Sequence, residues 1–426
     1  MALAQTKITA TQDRLNALCL SQSGWSASAR ADAHGRVIAM GLPVRRDEYW
    51  KYTRPDELTS PNVINAEVSA EDNTSIFGSL DCLSIVFEDG IFNAEKSDKF
   101  EDAEITLELL SEVNDLDIHW ATGLYGVLET KGQAPVDRPL AALNTAFARE
   151  GLLMHVKGTV AKPISLIYLQ NSDNDDVMLH HIIKMDKGAS ATILESGPVG
   201  ARCNIVMEAE IEDGASLNHV RAQGRNHERR AATHLFARLN KKSQLKSFTL
   251  TMNGALTRNE AFIEICGDDS VAHIAGASVG DGAFHHDDTV FIIHDALRGE
   301  SRQVFKKVLR NGATGVFQGK ILVKPDAQKT DGYQISQSLL LDDDSQFLAK
   351  PELEIYADDV VCSHGSTSGA IDEEAIFYLN SRGIPKVEAT NLLTLAFLAE
   401  ALSEVEDEDI AEVMERRLED WLTRRL

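Results

Sequence analysis

Cys362 and His364 stand two residues apart in the run ADDVVCSHGS. In an extended strand alternate side chains share a face, so Val360, Cys362 and His364 project together, with ~6.6–6.8 Å between successive same-face positions. A thiolate and an imidazole placed this way can converge on one soft metal ion. Two donors do not complete a site. Glu354, Asp358 and Asp359 are the nearest further oxygens, and a sulfide or a second subunit are other sources, so the pair predicts half of a site at an interface. The plain alternative is an inert core thiol beside a satisfied core imidazole, since free cysteine is among the most buried residue types. Around the pair, Leu353, Ile355 and Ala357 alternate with Glu352, Glu354, Tyr356 and Asp358. The double aspartate breaks this alternation, as a bulge would, and Gly365 frees the backbone to turn.

Other chemistry-bearing runs are weaker. FHHDDTVFIIHD gathers His285, His286, Asp287, Asp288, His294 and Asp295; metal binding is conceivable, but polar strand ends on the rim of a stack explain them more simply. Gly319-Lys320 lacks the full phosphate-loop spacing, so no nucleotide is expected to bind this chain. HExxH and a recognisable catalytic triad are missing.

The elements that must carry these residues change character along the chain. Thr11–Leu20 and Ala27–Met40 read as helices, the second stopped at Gly41-Leu42-Pro43. VRRDEYWKYTRPDEL mixes charge with aromatics and reads as a packed surface turn. LSIVFEDGIFN reads as a hairpin turning at Asp89-Gly90, and Leu140 to about Arg149 as a short helix before Gly151. From Leu152 onward, short alternating runs (HHIIKM, ATILES, CNIVMEAEI, SFTLTM, AFIEIC) are separated by turns that resemble one another. Those turns centre on Gly188, Gly214, Lys242 and Asp269, then Gly312 and Asp344. The first four lie about 27 residues apart with two strand-length runs per period, which predicts a solenoid; a β-sandwich or jelly roll stays open as the alternative. After Gly369 the pattern is helical again. Asp372 is placed as an N-cap, Gly383 ends that helix, KVEATNLLTLAFLAEAL forms a second, and a last amphipathic helix runs to Arg424-Arg425.

Composition sets limits. At 426 residues the chain holds two to three structural units, and 43% hydrophobic with 25% charged residues is ordinary for a globular protein. A formal net charge of −24 argues against nucleic acid or an anionic membrane as partner. No run of 18 apolar residues occurs, the start lacks a secretory pattern, and the five cysteines are scattered without a CxxC pair. A reducing cytoplasm with free thiols is the expectation.

Between Leu309 and Pro385 the motifs AQKTD, KPELEIYADDV, CSHG, DEEAIFYL and SRGIP resemble the C-terminal signature of the SufB/SufD family of iron–sulfur cluster assembly scaffolds. LPVRRDEYWKYT and RPLAALNTAFAREG resemble further family segments. Within the family the likeness is to the SufD side, because the CGAHT-like cysteine context and greater length of SufB-type chains are missing. The resemblance implies a mainly β fold: a right-handed parallel β-helix flanked by N-terminal and C-terminal α-helical regions. It divides the chain into 1–80, helical; 81–370, the β-helix, with a helical segment about 100–150; and 371–426, helical. It further implies a non-catalytic scaffold subunit of an iron–sulfur assembly complex, with a SufB-like partner and a SufC-like ABC-type ATPase. His364 and Cys362 would share iron or a nascent cluster, transiently, with the partner. Asp372, Glu373, Glu374, Phe377, Tyr378 and Arg382 would face the ATPase. Whether the chain alone is a homodimer, and whether a flavin takes part, are left open. Val361 and Ser366-Thr367-Ser368 depart from the family pattern. Two rivals remain: a secreted carbohydrate-active β-helix enzyme, and a purely structural interaction protein.

Overall fold

The computed structural model describes residues 3–68, 75–99, 102–224 and 228–423, so Arg424-Arg425 lie outside the described residues. The chain winds into a parallel β-solenoid, one sheet of ten strands facing one of nine. From Ile164–Leu169 onward successive strands alternate between the sheets, and each pairs in parallel with the strand one coil earlier. Register shows the repeat directly: Ser190 pairs with Ser216, Ser216 with Gln244, and Gln244 with Val271.

One set of corners holds this winding together. The N–H groups of Gly188, Gly214, Lys242 and Asp269 donate to the carbonyls of Asp213, Lys241, Asp268 and Leu297 at 2.8–3.0 Å, each on the next coil. All four residues have positive φ, between 57° and 72°, where glycine and aspartate are tolerated. The ladder continues at Arg298 and Lys329, which donate to Gln328 and Asp359. The sequence repeat was therefore followed onto the wrong edge after Asp269. Asn311-Gly312 and Asp343-Asp344-Ser345 turn the chain at the opposite side of the stack. The true successors carry long basic side chains at φ 55° and 60° and give no turn signature in sequence.

Between the sheets the inward rows form one apolar core, from Ile85 and Phe87 through Ile164, Ile205 and Met207 to Ile292 and Phe317. The outer faces are covered by helices. N-terminal helices Gln5–Asn16, Ala27–Met40 and Pro139–Phe147 lie against the nine-stranded sheet. Asn144 there donates to the carbonyls of Leu179 and Asn204 at 3.0 and 2.7 Å. The C-terminal helices Lys386–Leu402 and Glu408–Thr423 cover the ten-stranded sheet. Ile410, Val413, Met414, Leu418, Trp421 and Leu422 are buried along the last helix, each such apolar side chain contributing ~1.5–3 kcal/mol.

Boundaries shift in places. The first helix is Gln5–Asn16 rather than Thr11–Leu20, and Pro139–Phe147 stops short of Arg149. Asp358-Asp359 are not a bulge. They form the corner between the last two strands, Gln346–Ile355 and Val361–Ala370, which belong to different sheets. Gly365 does not turn the chain either: it pairs with Ile335 inside the final strand, and the helix starts only at Glu373.

Candidate functional site

Val361–Ala370 is the outermost strand of the ten-stranded sheet, paired among the described residues only with Asp331–Leu340. Cys362 lies opposite Gly332, His364 opposite Gln334, Ser366 opposite Ser336 and Ser368 opposite Ser338. In both strands these even-numbered residues face the lumen, because the intervening Tyr333 and Ile335 pack outward against the C-terminal helices. The last two coils of this wall are thus polar on the inside. Ser336 donates to Ser366 at 3.1 Å and Ser338 to Ser368 at 2.8 Å. The facing wall, strand Gln346–Ile355, directs Phe347, Ala349, Pro351, Leu353 and Ile355 inward.

Cys362 is half-buried against Ile321, Val323, Leu353, Ala357 and Val360. Two glycines make room beneath the last coil. A Cβ on Gly332 would stand 3.2 Å from the Cys362 Sγ, and one on Gly319 only 2.1 Å from Gln334 Nε2. Burial pushes the Cys362 thiol's pKa up, against the Gly332 backbone amide that favours the thiolate. The free chain therefore presents a protonated thiol at neutral pH, and a metal ion or a cationic neighbour has to draw off the proton. His364 is exposed. Below it Gln334, fully buried, donates to Gln303 at 2.9 Å.

The weaker candidates do not join the pair. Glu354 sits on the outer face, 2.6 Å from Lys320 Nζ. Asp358 and Asp359 are exposed at the corner, where the Asp359 carbonyl accepts from Lys329 and its N–H donates to Gln328. Among the described residues no three His, Cys, Asp or Glu side chains are grouped to hold a metal. What this rung offers is a soft donor, an imidazole and two hydroxyls, open on one side.

The FHHDD run is not on the rim. His286, Asp287 and Asp288 are buried. Asp288 pairs with Lys307 at 2.5 Å and with His286 at 3.2 Å; burial opposes its charge, but His286 and Lys307 outweigh burial and hold its carboxyl well below the usual range. Asp287 accepts from Thr53 at 2.6 Å and pairs with Arg258. His294 is buried 2.8 Å from Ser301, its pKa lowered to about 4 by burial, and Asp295 pairs with Lys324. These carboxylates already have cations supplied by the chain. Sequence reasoning also missed Gln334, Ser366 and Ser368. The alternation Gln334-Ser336-Ser338 against Tyr333 and Ile335 was visible, but a polar face normally marks solvent, not a lumen.

On helix Glu373–Ser381, Asp372 accepts from the N–H of Glu374 and Ala375 as an N-cap. Phe377 and Tyr378 stand 75% and 52% exposed, with the Arg382 guanidinium 4.0 Å over the Tyr378 ring. Asp372, Glu373, Glu374 and Arg382 are exposed with them. Among the described residues no helix is long and apolar enough to cross a membrane.

The SufBD core domain of SUF-system FeS cluster assembly matches residues 168–397. The iron–sulfur cluster assembly protein SufD of Escherichia coli K12 is 28% identical over 407 residues, 93% of each chain. An iron–sulfur cluster assembly SufBD family protein of Synechocystis is 27% identical over 398 residues, 88% of this chain and 86% of its own. SufD of Bacillus subtilis is 27% identical over 296 residues, 66% of this chain and 67% of its own. The matched domain spans the coils from Tyr168 to the second C-terminal helix and includes the open rung, and the chain belongs to the SufB/SufD family.

Proposed function

We propose that this chain is the SufD-type scaffold subunit of a complex that assembles iron–sulfur clusters, and that it contributes half of a cluster-building site. One observation carries the reading: the solenoid ends in an uncovered rung whose inward face presents Cys362 and His364. A SufB-type chain docks on that end and brings the remaining donors, while iron and sulfide arrive as cargo. The exposed aromatic face of Glu373–Ser381 receives a SufC-type ATPase, which binds the nucleotide that this chain does not. ATP-driven closure of the ATPase pair then strains the seam between the two solenoids. In the absence of a partner the same open edges pair two copies of this chain. The free thiols Cys19, Cys82, Cys203, Cys266 and Cys362 fit work in a reducing cytoplasm.

His364 is exposed on an edge strand, which sets it apart from a satisfied core histidine. His364→Ala should abolish cluster build-up, read by visible absorbance after anaerobic reconstitution, while co-purification with both partners stays intact. An unchanged rate of build-up in that variant would overturn the site assignment.

A further inference from the structure

The last strand of the nine-stranded sheet, Gln346–Ile355, is partly exposed along most of its length and, among the described residues, paired on one side only. Pro351 within it has no N–H to give. Ladder bonds to Thr314–Val323 are all that stacking supplies to this rung, and such an end coil is the part of a solenoid that opens first.

A strap from the N-terminal region reaches it. Glu48–Thr53 crosses the outer face of the sheet and touches four successive strands. The Tyr49 carbonyl accepts from Arg258 of Leu256–Ile265 and from Gln318 of Thr314–Val323, both at 3.0 Å. Thr53 donates to Asp287 of His285–His294. At the far end the Tyr49 hydroxyl donates to Glu352 at 2.6 Å, and Lys350 bridges Glu48 and Glu352 at 3.0 Å each, its ammonium 3.9 Å over the Tyr49 ring. Tyr49 and Trp50 are buried, anchored by Phe291 at 5.0 Å and by the Arg258 guanidinium 4.1 Å over the indole. The strap is therefore fixed to inner coils that cannot fray and grips the outer one by two charged side chains.

We propose that Tyr49 and Glu48 are positioning residues for the docking edge: they latch strand Gln346–Ile355 to the N-terminal region and hold it in register for an incoming strand of the SufB-type partner. The latch itself rests on geometry alone; its use in docking rests on the function proposed above. Burial and Glu352 push the Tyr49 hydroxyl's pKa upward, so it stays a donor across the working pH range. Burial disfavours the Glu352 carboxylate, but the bonds from Tyr49 and Lys350 outweigh it and keep the group charged.

Tyr49→Phe removes one hydroxyl and leaves the ring packing, so the full chain should fold. Amide hydrogen exchange, resolved by segment, is expected to quicken about tenfold or more in Gln346–Ile355, the effect of losing one bond to a charged acceptor. Val361–Ala370, in the other sheet, should not change, nor should the thermal midpoint. Glu352→Gln keeps an acceptor for Tyr49 and should give a smaller, equally local effect. Uniform quickening, or none in Gln346–Ile355, would overturn the latch. The dissociation rate of the co-expressed SufB-type chain is the second readout, and it should rise in Tyr49→Phe. Local quickening with an unchanged dissociation rate would leave the latch standing and overturn the docking role of this edge.

Discussion

The two ends of the solenoid are built on opposite plans. At the N-terminal end each sheet is closed by the chain itself: Ile91–Phe92 runs antiparallel to Leu83–Glu88, and Ile105–Leu109 antiparallel to Leu152–Val156. These closing strands are short, five residues at most, and Ile105 and Leu109 are buried in the inter-sheet core, with Phe92 and Leu107 packed against it. At the other end two parallel strands of ten residues each stop with their outer edges unpaired among the described residues. Short edges are one of the ways soluble proteins avoid sheet-to-sheet association, and long open edges invite it. The function proposed above assigns that bare end to another polypeptide. Pro351 fits the contrast. Its position in the alternation directs the missing N–H outward, where only an edge strand tolerates it.

The sharpest way to separate the two halves is to damage the closed one. Glu208 is buried on the outer face of the early coils, where it accepts from the N–H groups of Gly126, Leu128 and Glu129 and pairs with His180 at 2.8 Å. Glu208→Ala strands those donors at a buried helix start, so the urea midpoint should fall by the equivalent of about 3–5 kcal/mol. Ser368→Ala on the open rung should stay within about 0.5 kcal/mol. Equal losses at both positions would erase the distinction between the ends.

Acid should act on the closed stack as well. Burial lowers the pKa of His181 and of His294 to about 4, against 6.5 when unfolded. Both are folded as neutral rings, so the stability they carry is present above pH 6.5 and drains away as pH falls toward about 4. Each contributes on the order of 3 kcal/mol over that window. Thermal midpoints at pH 7, 6, 5 and 4 should decline steadily, and replacing His294 with Gln should flatten the decline.

How much of this contrast the sequence carried depends on the element. The period near 27 was legible from Gly188 to Asp269 because Gly188, Gly214 and Asp269 are turn formers and Lys242 falls on the spacing they set. It was lost where Arg298 and Lys329 occupy the same backbone state, held there by corner bonds that leave no trace in composition. Cys362 and His364 were legible as a same-face pair, since strand alternation is local. Glu354 was not excludable, because only the pairing register shows it on the outer face beside Lys320. The FHHDD run was placed on the rim for a related reason: its partners Lys307, Arg258 and Thr53 are distant in sequence, so nothing local shows that its carboxylates are buried and paired. Pro351 was a readable mark of an edge strand.

On the open side, backbone polarity gives a direct test. The N–H of Val361 donates inward to Thr330, so in a parallel ladder the N–H groups of Cys362, His364, Ser366 and Ser368 point to the free edge. Ser366→Pro deletes one outward donor and no inward one. Affinity for the SufB-type partner, measured by calorimetry, should fall about 10–100-fold, the worth of a backbone bond plus the steric block to a docking strand. The urea midpoint should change little. A partner that binds Ser366→Pro as tightly as the parent does not pair with this edge.

The smallest effect reads the same contrast through sulfur. Cys203 is sealed between the sheets, its thiol pushed up to about 12 by burial, so iodoacetamide at pH 8 should leave it untouched in the folded chain. Cys362 is pushed up too, yet it is only half-buried, and it lies on the last coil of the stack. It should react slowly but measurably, behind the exposed Cys19. Bound partner should then slow it several-fold further without changing Cys19, because docking on the open rung covers one thiol and not the other. If Cys362 is as inert as Cys203 before any partner is added, the lumen is closed above it, and no half-site faces outward from this end.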